Sequence, residues 1–215
     1  MHAPARRWLE GQGFAVKSEF VTPWGICDLV AVRLDQAKVE ERSALEQKTR
    51  IGPLSRVVLL DSIPDVEEGT SVSRRRLQRE FSDFWSSDEL DRQLQVLISR
   101  KFVTCPRRDL FQRRNGWAPL HEKVIAIELK LSRVEEVFWQ ARNHVRIADE
   151  SYIGLPYENA ERLVASRRAE QFHDSGIGVV AVHQDWCRVL LPANTLASEV
   201  DAVLQMHCVE QFWGS

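Results

Sequence analysis

VIAIELKLSR, residues Val124–Arg133, begins with four apolar residues and then sets a carboxylate and an ammonium two positions apart. The period of the stretch decides how it is read. Successive side chains of a strand point to opposite faces. Ile125, Ile127, Leu129 and Leu131 therefore share one face, which reads as core. Val124, Ala126, Glu128 and Lys130 share the other, which turns from apolar to charged at the strand's end. An earlier run, ICDLVAV, does the same, with Asp28 on a face with Ile26, Val30 and Val32. Burying an unpaired carboxylate costs several kcal/mol. Both strands therefore carry charge that has to meet an opposite charge, a metal or water.

Outward from this strand the pattern alternates between periods of two and 3.6. ARRWLEGQGF reads as a helix closed at Gly11 or Gly13. FAVKSEFVTPWGICDLVAVRL reads as a hairpin turning at Pro23-Trp24-Gly25. After the Glu128 strand come helix SRVEEVFWQARNHVRIA, with a capping box in Ser132 and Glu135, and strand ESYIGLP. One helix, ENAERLVASRRAEQFHDSG, then precedes strands IGVVAVHQ and WCRVLL and the C-terminal helix ASEVDAVLQMHCVEQF. Residues 35–119 break this rhythm. They hold a polar stretch, an apolar helical run stopped by Pro64, the segment TSVSRRRLQREF, and a helix opened by Ser86 and Glu89. FVTCPRRDLFQRRNGWAPL follows as a hairpin with a basic tip. Three helical segments closed by such a hairpin describe a small winged-helix-like module. The expected organisation is an α/β core, 1–34 and 120–215, interrupted by an insertion at 35–119.

The 215 residues are 44% hydrophobic and 28% charged with a net charge of −2. This is ordinary soluble composition, without a global basic field. The four cysteines form no C-x-x-C pair, so a disulfide framework or zinc ribbon is not expected and a reducing cytoplasm is. No window reaches the ~18 apolar residues of a membrane span, and no secretory leader is evident.

The tripeptide E-x-K is weak evidence alone, since about one is expected by chance in a chain this long. Glu46-Gln47-Lys48 has the same letters in a polar stretch with no strand around it. Context separates the two. GICDLVAV, AIELKLSR and WQARNHVRIADESYIGLP together resemble the PD-(D/E)xK nuclease superfamily, the restriction-endonuclease-like fold. The order helix, hairpin, strand, helix, strand matches over the chain outside the insertion. The resemblance implies a central mixed β-sheet flanked by helices. It implies Mg²⁺ or Mn²⁺ held by Asp28 and Glu128, with the Leu129 carbonyl as a further ligand. Lys130 would orient or deprotonate the attacking water, and Gln140 would stand at the site's edge. Glu19 or Glu10 would fill the additional acidic position of some members. Two features depart from the family: Cys27 replaces the usual proline, and Asp28 and Glu128 stand 100 positions apart. A shared metal would require the two carboxylates within roughly 4–5 Å, since Mg–O bonds are about 2.1 Å.

Those residue types suit the chemistry. Phosphodiester hydrolysis needs hard oxygen ligands for the metal, a water of lowered pKa and a cation near the developing charge. The implied partner is DNA, duplex or branched, and a homodimer would let two strands be cut. Between Thr70 and Arg114 eleven basic residues face six acidic ones, which suits phosphate contacts. Helix 86–99, with Arg92 outward, is the candidate recognition helix, and Arg74, Arg75, Arg76, Arg107 and Arg108 would touch the backbone. Rival readings are a DNA-binding or regulatory protein whose nuclease-like core does not cut, and a protein-interaction module. The six histidines show no metal-ligand spacing and read as structural or surface residues.

Overall fold

The computed structural model describes residues 1–114, 119–131 and 134–213. Helix α1 (His2–Glu10) leads into the hairpin β1 (Ala15–Thr22) and β2 (Gly25–Leu34). Next come α2 (Gln36–Ala44), α3 (Leu54–Asp61), β3 (Val72–Ser73), α4 (Arg74–Glu80), α5 (Ser87–Ser99), β4 (Val103–Arg107) and β5 (Leu110–Arg113). The remainder is β6 (His121–Leu129), α6 (Val134–His144), β7 (Glu150–Pro156), α7 (Tyr157–Val164), α8 (Arg168–Asp174), β8 (Ile177–Val182), β9 (Cys187–Leu191) and α9 (Ala202–Glu210). The chain divides into two compact units, Met1–Leu34 with His121–Cys208, and Asp35–Leu120 with Val209–Ser215.

The first unit is α/β. Its six-stranded sheet has the order β1-β2-β6-β7-β8-β9. β6, β7 and β8 run parallel, and the strands at both ends of the sheet pair antiparallel. Every residue of β8, IGVVAV, is buried, as a parallel strand covered on both faces should be. One face carries Ala5 and Leu9 of α1 against Leu29, Ala31, Ile125, Ile127 and Leu129. The other carries Val137, Phe138 and Ala141 of α6 with Ile153, Val179 and Phe172. The alternation read at 124–129 therefore holds through Leu129. Leu131 lies beyond the strand and is exposed, so it is not part of the core. Gly154 on β7 makes room for Leu129: a Cβ there would come within 2.5 Å of Leu129 Cδ2.

Two local expectations change. The helix expected over ENAERLVASRRAEQFHDSG is two, because Ser166 turns its hydroxyl onto the backbone. Its Oγ donates to the Leu163 carbonyl and accepts from the Arg168 N–H, a local competition that interrupts helices. The two-residue strand β3 also precedes α4, within the segment TSVSRRRLQREF.

The second unit is mainly helical, with a small antiparallel sheet of order β3-β5-β4. Leu90, Leu94 and Leu97 form the buried stripe of α5. Ser86 caps that helix through the Glu89 N–H, but the Glu89 carboxylate goes to Gln93 and Arg92 rather than back to the cap. The Ser132–Glu135 pairing lies outside the described residues. The C-terminal residues 209–215 belong to this unit and not to the α/β core, because Glu210 is held by Arg42 and by the Ile51 N–H.

Candidate active site

The site forms where two paired strands part. β2 and β6 are in register from Arg33↔Lys123 to Leu29↔Ile127, after a register shift between Arg33 and Leu34, and the ladder ends at Leu29↔Ile127. On the other flank of β2, Glu19 of β1 falls between the Ser18↔Leu29 and Phe20↔Cys27 pairs. Its φ is +52°, a left-handed conformation uncommon outside glycine. The alternation of β2 breaks opposite this residue. Leu29 packs in the α1-side core, whereas Cys27, two positions earlier, stands among Glu128 and His144. Cys27, rather than Asp28, therefore shares a buried environment with the Glu128 side chain.

Asp28 turns into the gap. Its Oδ2 accepts the Leu129 N–H at 2.7 Å, and its Oδ1 lies 3.9 Å from His2 Nε2 on α1. The chain thus closes the 100-position separation and brings Asp28 against the backbone between Glu128 and Lys130. Glu128 itself is only 1% exposed. Its Oε1 lies 2.7 Å from Nε2 of His144, which is 3% exposed and sits at the end of α6. A carboxylate so buried needs a partner, and His144 supplies it. The donor atoms of Cys27, Glu128 and His144 lie within 4.8 Å of one another, and Asp28 stands outside this set. Burial, and then the neighbouring Glu128 charge, push the Cys27 thiol well above its ordinary pKa. It is therefore a neutral S–H at physiological pH, set 3.3 Å from the Leu29 carbonyl and 3.8 Å from that of Ile127.

Lys130 is half-buried just past β6, with its N–H donating to the Gly154 carbonyl at 3.1 Å. Gln140 lies one helical turn before His144, and its Oε1 is buried without a hydrogen-bond partner among the described residues. Glu19 is exposed at the kink, and Glu10 is engaged by Arg6 at 2.7 Å. Glu46-Gln47-Lys48, the other E-x-K tripeptide, lies past α2 outside any strand.

Comparison with family models, curated proteins and solved structures finds no match.

Sequence reasoning missed His144 and the placement of Cys27. The three donors come from three elements, so no spacing motif links them. The available signal was positional: His144 is four residues after Gln140 on one helix face, and Cys27 adjoins Asp28.

The six arginines expected to contact DNA divide into two groups. Arg74 is committed internally: Nε and Nη2 each reach Asp91 at 2.7 Å, and Nη2 also meets Ser87. This hydrogen-bonded pairing raises the Arg74 pKa and lowers that of Asp91. Arg92 pairs with Glu89 and reaches the Asp88 carbonyl. The N-terminal turns of α5 thus set Asp88, Glu89 and Asp91 beside Arg92, a poor surface for phosphate. Arg75, Arg76, Arg107 and Arg108 are exposed, with Arg108 3.8 Å from Asp109.

Proposed function

We propose that this chain is a metal-dependent nuclease acting on DNA, built on a restriction-endonuclease-like core with a winged-helix-like insertion. The observation that carries the reading is the 2.7 Å bond from the Leu129 N–H to Asp28. It joins the two strands whose charges the resemblance pairs, at the point where their ladder opens. The helix–hairpin–strand–helix–strand order of the first unit and the β3-β5-β4 order of the second support the finer fold assignment.

A hard cation would bind through one or two carboxylates and keep several waters; Asp28 would be its accessible ligand, and Glu128 would have to exchange His144 to join it. The half-buried Asp28 leaves such waters access. When bound, the metal would polarise a phosphoryl oxygen and lower the pKa of a water. Lys130, with no ion pair to a carboxylate among the described residues, would offer its ammonium to the developing charge. Arg75, Arg76, Arg107 and Arg108 would contact the DNA backbone in a salt-dependent way. The burial of Glu128 against His144 favours a second reading, a scaffold that binds DNA without cutting it.

Cleavage assays with Mg²⁺ or Mn²⁺ separate the two. Wild type is expected to cut, and Asp28→Asn and Lys130→Ala to cut about 100-fold more slowly or worse. Equal cleavage by all three would sink the site. Salt-sensitive binding without cleavage would support the second reading.

A further inference from the structure

β6, β7 and β8 are parallel, with Leu129 beside Gly154 and Pro156 beside Val182. Their C-terminal ends therefore lie along one edge of the sheet. Lys130 follows β6 there, Tyr157 follows β7 and His183 follows β8. Asp28, at the start of the antiparallel β2, stands at the same edge. Beyond it three rings meet. Trp186, on the β8–β9 turn, stacks on His183 with centroids 5.2 Å apart and planes 17° apart. It meets Tyr157 edge-on at 5.3 Å. Despite both contacts Trp186 remains 41% exposed.

We propose that Trp186, His183 and Tyr157 form a stacking platform for unpaired nucleobases, so that the site takes single-stranded or frayed nucleic acid. The argument rests on the nuclease reading for the neighbouring site, but not for the binding chemistry. A duplex hides its base faces, whereas an unpaired base offers a π-face to an exposed indole. A backbone hydrogen bond closes the turn: the His183 N–H donates to the Trp186 carbonyl at 2.9 Å. Arg7 anchors the same turn from α1, donating to the Gln184 carbonyl at 3.1 Å. The Tyr157 hydroxyl donates to the Glu161 carboxylate, which chiefly raises its pKa, and Arg188 lies close enough to act on it in the opposite direction. Arg7 and Arg188 thus bring cations to the turn and to Tyr157, beside the Glu161 carboxylate, and a charged strand would meet them there. Asn159 Nδ2 donates to the Leu131 carbonyl at 2.8 Å, tying the element after Tyr157 to the segment after Lys130. Two strand spacings, about 10 Å, separate β6 from β8, so one short strand spans both places.

The test is binding of a fluorescent oligothymidine and of a blunt-ended duplex to the full chain without divalent metal, at one ionic strength. Trp186→Ala is expected to weaken oligothymidine binding about 10-fold or more and leave duplex binding within about twofold. Trp186→Phe, which keeps a stacking ring, is expected to retain most of the affinity and guards against a folding defect. Unchanged oligothymidine binding by Trp186→Ala overturns the proposal. An equal loss on both ligands, or no single-strand binding by wild type, overturns it too. Single-strand binding with this pattern but no cleavage when Mg²⁺ is added would sink the nuclease reading alone.

Discussion

Glu210 and Glu128 are both buried carboxylates, and the two units treat them differently. Glu210, in the second unit, accepts from Arg42 Nη1 at 2.6 Å, Arg42 Nη2 at 3.4 Å and the Ile51 N–H at 2.7 Å. The guanidinium lies 4.8 Å from the Phe102 ring centroid and 5.3 Å from that of Trp213. Its positive charge is permanent. Glu128, in the first unit, has the imidazole of His144 at 2.7 Å and a protonated thiol nearby. A carboxylate fixed by a permanent cation and a backbone N–H serves the fold. One held by a single imidazole beside an opening strand pair is able to exchange that partner, and we read the difference as structure against function.

Glu210→Ala offers the largest way to break this comparison. It leaves the Arg42 guanidinium buried without its partner, and removal of one member of a buried pair costs about 3–5 kcal/mol. Denaturant unfolding of the full chain measures it, and a loss below about 1 kcal/mol would remove the contrast. A smaller effect sharpens the other side. The raised pKa of Cys27 means that the fold favours the protonated thiol. Its contribution is therefore complete below the ordinary thiol value, about 8.5, and declines as pH rises through the folded value. Cys27→Ala should flatten part of the alkaline fall in stability. Cys208, raised to about 12, and Cys187, raised to about 11, act in the same direction and keep the rest. In the native protein, the exposed Cys105 should alkylate at neutral pH while Cys27 stays unmodified.

What the sequence made legible was local. The alternation at 124–129 and the turn at 23–25 are set by neighbours along the chain, so the sheet faces and the hairpin could be read directly. The approach of Asp28 to the Glu128–Lys130 segment was legible only through resemblance, since 100 residues intervene. The break in alternation at Cys27 was not legible, because no residue of ICDLVAV marks it; it lies opposite the left-handed Glu19 of the adjacent strand. The pairing of Glu128 with His144 depends on the crossover from β6 through α6. Arg74 read as a phosphate contact because the Asp91 that occupies it lies 17 positions away on the next helix. The C-terminal residues join the second unit through a pair 168 positions apart, Arg42 and Glu210.

The most direct test compares Glu128→Gln with Glu210→Gln for DNA cleavage and for thermal melting. Glu128→Gln keeps a hydrogen-bonding amide beside His144. It is expected to lose cleavage about 100-fold or more and to melt within about 4 °C of wild type, the shift that roughly 1 kcal/mol produces in a chain of this size. Glu210→Gln is expected to retain cleavage below its lowered melting point. Wild-type cleavage by Glu128→Gln would contradict the functional assignment of that buried carboxylate.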